Sequence, residues 1–217
     1  MSLAFTHLTS PLKEGGSFYE THHAVVGDHG SYLVGGKWGG PGPNQDRHRW
    51  PRHSEGHQRD DNLIGQGGND TLLSLAGDDT LLGGPGKDVV NGGSLAQPFA
   101  GNKNLVGGEG NDAVQGGLGS DNVLGGEGND FMVDGEFEPP WVKDILSSGE
   151  GNDVMNVANK PAGKDTLTCG GGFDRVLADS KDVVAPDCEK VFIGPAAADR
   201  FFNSIPQSFI EGLPPQF

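Results

Sequence analysis

Aromatic side chains are scarce in this chain of 217 residues, at 7%, and hydrophobic residues reach only 34%. That is too little large apolar material for an ordinary globular core. No apolar run approaches the length of a membrane-spanning helix. Residues 1–20 lack a basic start followed by an apolar stretch, so no signal peptide is read there. Export through a C-terminal signal would leave none. Basic residues are also few. Lys and Arg total 15 against 30 Asp and Glu, a formal charge of −15, which argues against nucleic acid as the main partner. No HExxH, no GxSxG and no Cys/His ligand spacing occurs, so no zinc centre or nucleophilic triad can be assembled. These absences favour a non-enzymatic protein.

Glycine, by contrast, is abundant, with 38 residues, and it is periodic. One nine-residue word reads Gly83-Gly84-Pro85-Gly86-Lys87-Asp88-Val89-Val90-Asn91. From Gly107 to Val133 the chain reads GGEGNDAVQ, GGLGSDNVL, GGEGNDFMV without a break. The pattern is GGxGxD followed by x-apolar-x, the nonapeptide of a parallel β-helix that binds calcium in its turns. The chain resembles the RTX (repeats-in-toxin), hemolysin-type calcium-binding β-roll family of secreted proteins.

The word predicts an all-β, right-handed parallel β-roll, a β-helix solenoid with capped ends. Its eighth position is the inward one, because side chains in a strand alternate between faces. That position falls on Leu33, Leu63, Leu72, Leu81, Val90, Leu105, Val114, Val123, Met132, Leu146, Met155, Leu167, Val176, Val184 and Val191. Two words make one coil, giving about eight coils. Residues 1–24 are read as an N-terminal cap. Residues 25–193 are read as the roll, with insertions at 35–61, 92–103, 134–144 and 157–165. Residues 194–217, apolar and Pro-rich, are read as a C-terminal tail or cap, because an open coil end is a bare strand edge. Every insertion falls on one edge of the roll.

Calcium takes six or more oxygen ligands in flexible geometry. The word offers turn carbonyls and a carboxylate at its sixth position. The resemblance implies that each ion sits between one turn and the turn a coil later. On the uninterrupted edge it implies a ladder of Asp70, Asp88, Asp112, Asp130, Asp153 and Asp174, with about five Ca²⁺ ions between the rungs. The accompanying turn residues are Gly83, Gly84, Pro85 and Gly86; Gly107, Gly108, Glu109 and Gly110; and Gly125, Gly126, Glu127 and Gly128. The interrupted edge offers Asp61, Asp79, Asp121, Asp144 and Asp165, but Lys103 stands at the sixth position of one turn. No ion is expected beside its ammonium. Asx-turn capping without metal is the alternative for these Asp residues.

Cys169 and Cys188 lie 19 residues apart, about one coil on the same edge. Stacked strands lie within the span of a disulfide, so a bridge fits, with two free thiols as the alternative. The stretch CGGGFDRVLADSKDVVAPDCEKV looks like the terminal segment of many actinobacterial β-roll proteins, where two such cysteines recur. A bridge implies an oxidising compartment, here an extracellular or cell-surface location. Insertion 35–61 carries Trp38, Arg47, Arg49, Trp50 and Arg52, and insertion 134–144 carries Trp141. Arg and Trp together suit a recognition surface for an acidic glycan or a second copy of the chain. Loops that merely cover the roll are the alternative.

Overall fold

In the computed structural model the described residues are 53–56, 60–93, 101–134, 141–159 and 161–215. Fifteen strands run through them: β1 (His53–Glu55), β2 (Asn62–Ile64), β3 (Thr71–Leu73), β4 (Thr80–Pro85), β5 (Val89–Asn91), β6 (Asn104–Glu109), β7 (Ala113–Gln115), β8 (Asn122–Glu127), β9 (Phe131–Val133), β10 (Ile145–Gly151), β11 (Val154–Asn156), β12 (Thr166–Gly172), β13 (Arg175–Ala178), β14 (Val183–Val184) and β15 (Lys190–Ile193). Odd-numbered strands form an 8-stranded sheet and even-numbered strands a 7-stranded one. All the pairings are parallel, as between β5 and β7 or β6 and β8. The chain is therefore an all-β solenoid in which each coil contributes one strand to each sheet.

Register follows from the x-apolar-x words. Leu105 aligns with Val123, and Val123 with Leu146. In the other sheet Val90 aligns with Val114, and Val114 with Met132. These residues are 0–1% exposed and form one narrow core between the sheets. A core this thin cannot be made by any single coil, so each depends on its neighbours.

Two expectations are corrected. Residues 35–61 are not one interrupted turn, because β1 lies within them and pairs with β3, Ser54 opposite Leu72. Ser54, 6% exposed, thus takes an inward position. No apolar residue marks it, which hid the strand. Leu33 lies outside the described residues. Val191 aligns with Val176 but is 40% exposed, because β14 is the last strand of the facing sheet. Helices α1 (Ala198–Phe202) and α2 (Gln207–Gly212) pack on the outer face of the 8-stranded sheet. There Phe201 and Phe209 join Val154 and Leu177 in a second core, with Phe131 and Phe192 against it. Lys87 Nζ, several coils back, donates to Gly212 O at 2.7 Å. The tail is a brace along the flank.

Cys169 and Cys188 form a disulfide with Cα atoms 5.1 Å apart, and no cysteine is free. The native protein should resist alkylation entirely. Reduction should lower unfolding free energy by about 3 kcal/mol in the chain-entropy account. Thiol counting under native conditions and chemical denaturation with and without reductant check both.

Candidate metal centre

The uninterrupted edge carries turns 65–70, 83–88, 107–112, 125–130, 148–153 and 169–174. The long strands run on into these turns, so position-matched residues stack. Gly84 aligns with Gly108 and Pro85 with Glu109, then Gly108 with Gly126 and Glu109 with Glu127. Stacking brings the sixth-position carboxylates into a buried column. Asp70 is 1% exposed, and Asp88, Asp112, Asp130, Asp153 and Asp174 are 0%.

Each Asp binds the next through its backbone. Oδ1 of Asp88 accepts the N–H of Asp70 at 2.7 Å, and Oδ1 of Asp112 accepts that of Asp88 at 2.7 Å. Asp130, Asp153 and Asp174 repeat the bond at 2.8 Å. This fixes the carboxylates of Asp88, Asp112, Asp130, Asp153 and Asp174 and spends one oxygen of each. The other oxygen, Oδ2, is buried with no donor against it on Asp88, Asp112, Asp130 and Asp174. A buried carboxylate oxygen left this way carries a desolvation cost that a bound cation removes.

The glycines explain what surrounds that oxygen. Gly84, at the second position, has φ 107°, a left-handed conformation that side chains disfavour. Gln66 takes the same position at φ 75° and is the only non-glycine residue with positive φ among the described residues. First-position glycines serve a different need, close approach. A Cβ on Gly83 would stand 2.5 Å from Gly107 O and 2.6 Å from Asp88 Oδ2. On Gly107 it would stand 2.6 Å from both Asp112 Oδ2 and Gly125 O. A Cβ on Gly108 or Gly110 would collide with Gly84 O or Gly86 O of the turn before. Thus Gly107 O and Asp88 Oδ2 face one space, and Gly125 O and Asp112 Oδ2 face the next. Hard oxygen donors and a buried negative charge suit calcium, whereas zinc sites favour His and Cys.

Residues 64–94 and 99–132 match the RTX calcium-binding nonapeptide repeat, in four copies. The chain carries RTX calcium-binding repeats. No curated protein and no solved structure matches it. Asp70, Asp88, Asp112 and Asp130 lie inside the matched RTX segments, and Asp153 and Asp174 continue their column beyond them. In these last turns the first position is Ser148 and Cys169 rather than glycine. Ser148 Oγ donates to Cys169 O at 2.8 Å.

The interrupted edge keeps the same stacking despite its insertions. Oδ1 of Asp79 accepts the N–H of Asp61 at 2.8 Å, and Oδ1 of Asp144 that of Asp121 at 2.6 Å. Oδ1 of Asp165 accepts the N–H of Asp144 at 3.0 Å. Lys103 occupies its rung with the ammonium 3.1 Å from Asp79 Oδ2. Asp134, at a first position, brings a carboxylate oxygen within 4.8 Å of others from Asp144 and Asp165. Asn159 Nδ2 donates to Asp134 Oδ2 at 3.2 Å and Asp165 Oδ2 at 3.3 Å. Sequence reasoning missed Asp134 and Asn159. The signal for Asp134 was an Asp where the word following Val133 calls for glycine.

A second ladder was also missed. At the fifth position, Asn69 Oδ1 accepts the N–H of Lys87 at 3.0 Å, and Asn111 Oδ1 that of Asn129 at 2.9 Å. Asn129 and Asn152 accept likewise from the next turns, at 2.8 and 3.0 Å. The recurrent GND of the words was its visible trace. Of the expected partner surface, Trp141 is 76% exposed. Trp38, Arg47, Arg49, Trp50 and Arg52 lie outside the described residues.

Burial dominates the electrostatics of the RTX ladder. Desolvation raises Asp88 and Asp153 from the ordinary 3.8 to about 7, Asp112 to about 6 and Asp130 to about 8. The metal-free fold therefore holds protons that the unfolded chain releases near pH 4. Its stability falls as pH rises from about 4 to about 8. In chelator, β-sheet circular dichroism should grow on acidification across that range. The calcium midpoint at pH 6 should lie above that at pH 8, because protons compete for the same oxygens.

Asp112→Ala should cost more calcium and a larger fall in Tm than Asp121→Ala. The first cuts a rung of an unbroken ladder, while the second borders the Lys103 rung. Calcium titration calorimetry and thermal melts of the two variants compare them directly.

Proposed function

We propose that this β-roll is a non-enzymatic, secreted or cell-surface protein that folds as it binds about five calcium ions along its uninterrupted edge. The observation that carries this is the column of buried Asp residues, in which Oδ2 of Asp88, Asp112, Asp130 and Asp174 has no donor and Oδ2 of Asp88 and Asp112 faces a turn carbonyl. Without a cation, the column must hold protons or stack like charges one coil apart, around a core too thin to compensate. Ions that bind only the folded form then supply folding free energy. About five divalent ions would bring the net charge from −15 to about −5. The Cys169–Cys188 disulfide supports an oxidising, extracellular setting. No helix among the described residues is long and apolar enough to cross a membrane.

A second reading adds an acidic glycan or another copy of the chain as partner on the interrupted edge. Trp141, 76% exposed, and the exposed Lys143 and Lys164 of the same edge favour it. Shortening residues 38–52, which spares β1, in the calcium-loaded protein should then reduce binding to acidic glycans or self-association.

The primary test is metal removal. In excess EDTA the chain should lose its β-sheet circular dichroism, and calcium should restore it cooperatively. A spectrum indifferent to exhaustive chelation would exclude calcium-dependent folding.

A further inference from the structure

Lys103 is the only buried base among the described residues, 2% exposed. It stands at the sixth turn position, where Asp79 precedes it and Asp121 follows it on the same edge. Its backbone behaves as that of an Asp rung. Its N–H donates to Asp121 Oδ1 at 2.7 Å, and the neighbouring Asn102 N–H donates to Asp78 Oδ1 at 2.8 Å. The side chain does something no Asp can. The ammonium reaches into the space between turn 74–79 and residues 101–103, lies 3.1 Å from Asp79 Oδ2 and donates to Gly77 O.

Those two oxygens are informative. Gly77 and Asp79 hold the fourth and sixth positions of their word, as Gly86 and Asp88 do of theirs. Asp88 Oδ2 is buried without a donor on the uninterrupted edge, whereas Asp79 Oδ2 on this edge has the ammonium. The ammonium therefore meets a fourth-position carbonyl and a sixth-position carboxylate, hard oxygen donors of the kind that calcium takes. Charge balances as well. Two carboxylates sharing a divalent ion are neutral, and so is one carboxylate facing one ammonium. Both side chains of the Lys103–Asp79 pair are 0% exposed, so an unbalanced charge would be costly.

We propose that Lys103 is a tethered cation that takes the place of calcium between turn 74–79 and residues 101–103. This rung of the roll then stands without metal, in the middle of a structure whose other edge requires it. The proposal rests on reading the ladder spaces as calcium sites.

Three measurements on the full chain test it. In the calcium-loaded protein, acetylation by an N-hydroxysuccinimide ester, read residue by residue by mass spectrometry, should spare Lys103 and modify the exposed Lys143 and Lys164. K103M should leave calcium stoichiometry unchanged and lower Tm at saturating calcium by about 10 °C, because Asp79 loses its buried partner. K103D should bind one more calcium ion than the wild type. Wild type that binds no calcium overturns the ladder reading itself. Wild type that binds calcium but labels Lys103 as fast as Lys143 overturns the tethered cation alone. So does a K103M chain that gains an ion or keeps the wild-type Tm. Should K103D fail to fold, labelling and K103M decide the matter.

Discussion

A buried carboxylate with one oxygen spent and one oxygen waiting is the constraint on which this structure depends. Parallel stacking demands that each turn donate a backbone N–H to the turn that follows. Asp at the sixth position accepts it through Oδ1, and that bond aims Oδ2 inward at the turn carbonyls. The fold thus creates a row of negative sites as a by-product of its own hydrogen bonding. A hard cation resolves the row, and the rest of the molecule is arranged around keeping it regular.

Regularity explains the composition. A first-position glycine is needed because a carboxylate oxygen and a carbonyl crowd the place of a Cβ, as at Gly83 and Gly107. Each x-apolar-x word leaves one large inward side chain, so the core is mostly two columns of Leu, Val and Met. Such a core supplies less apolar burial than a globular domain of equal length. The chain compensates at its C-terminal side with a disulfide across the last coil and with Phe201 and Phe209 packed on the outer sheet face. The brace also reaches back to Lys87 in a ladder turn, tying distant coils together.

The two edges answer the same constraint differently. On the uninterrupted edge the answer is uniform, with identical oxygens in successive spaces. The interrupted edge varies it. Lys103 brings its own charge, and Asn159 brings amide protons to Asp134 and Asp165. Insertions leave the column in register because each ends on a sixth position, at Asp61, Lys103, Asp144 or Asp165, next to the following strand. Backbone pairing, not turn length, sets where the carboxylates land.

The parallel roll, the inward residues from Leu63 to Val184, the Asp columns and the disulfide were legible in the sequence. A nine-residue repeat dictates period, face and turn position together, and local chemistry at each position does not depend on distant contacts. Other features were decided only in three dimensions. Strand β1 was hidden because Ser54 is inward by pairing with Leu72, not by being apolar. The tail's place on the flank follows from the outward faces of Val154 and Leu177, which a repeat with one recurring inward position leaves unspecified. The reach of Lys103 to Asp79 joins residues 24 apart in the chain, a separation set by the length of an insertion and invisible to the repeat. Sequence determines what recurs with the repeat, while tertiary structure decides what the repeat does once it is interrupted, because only stacking fixes which irregular residues meet.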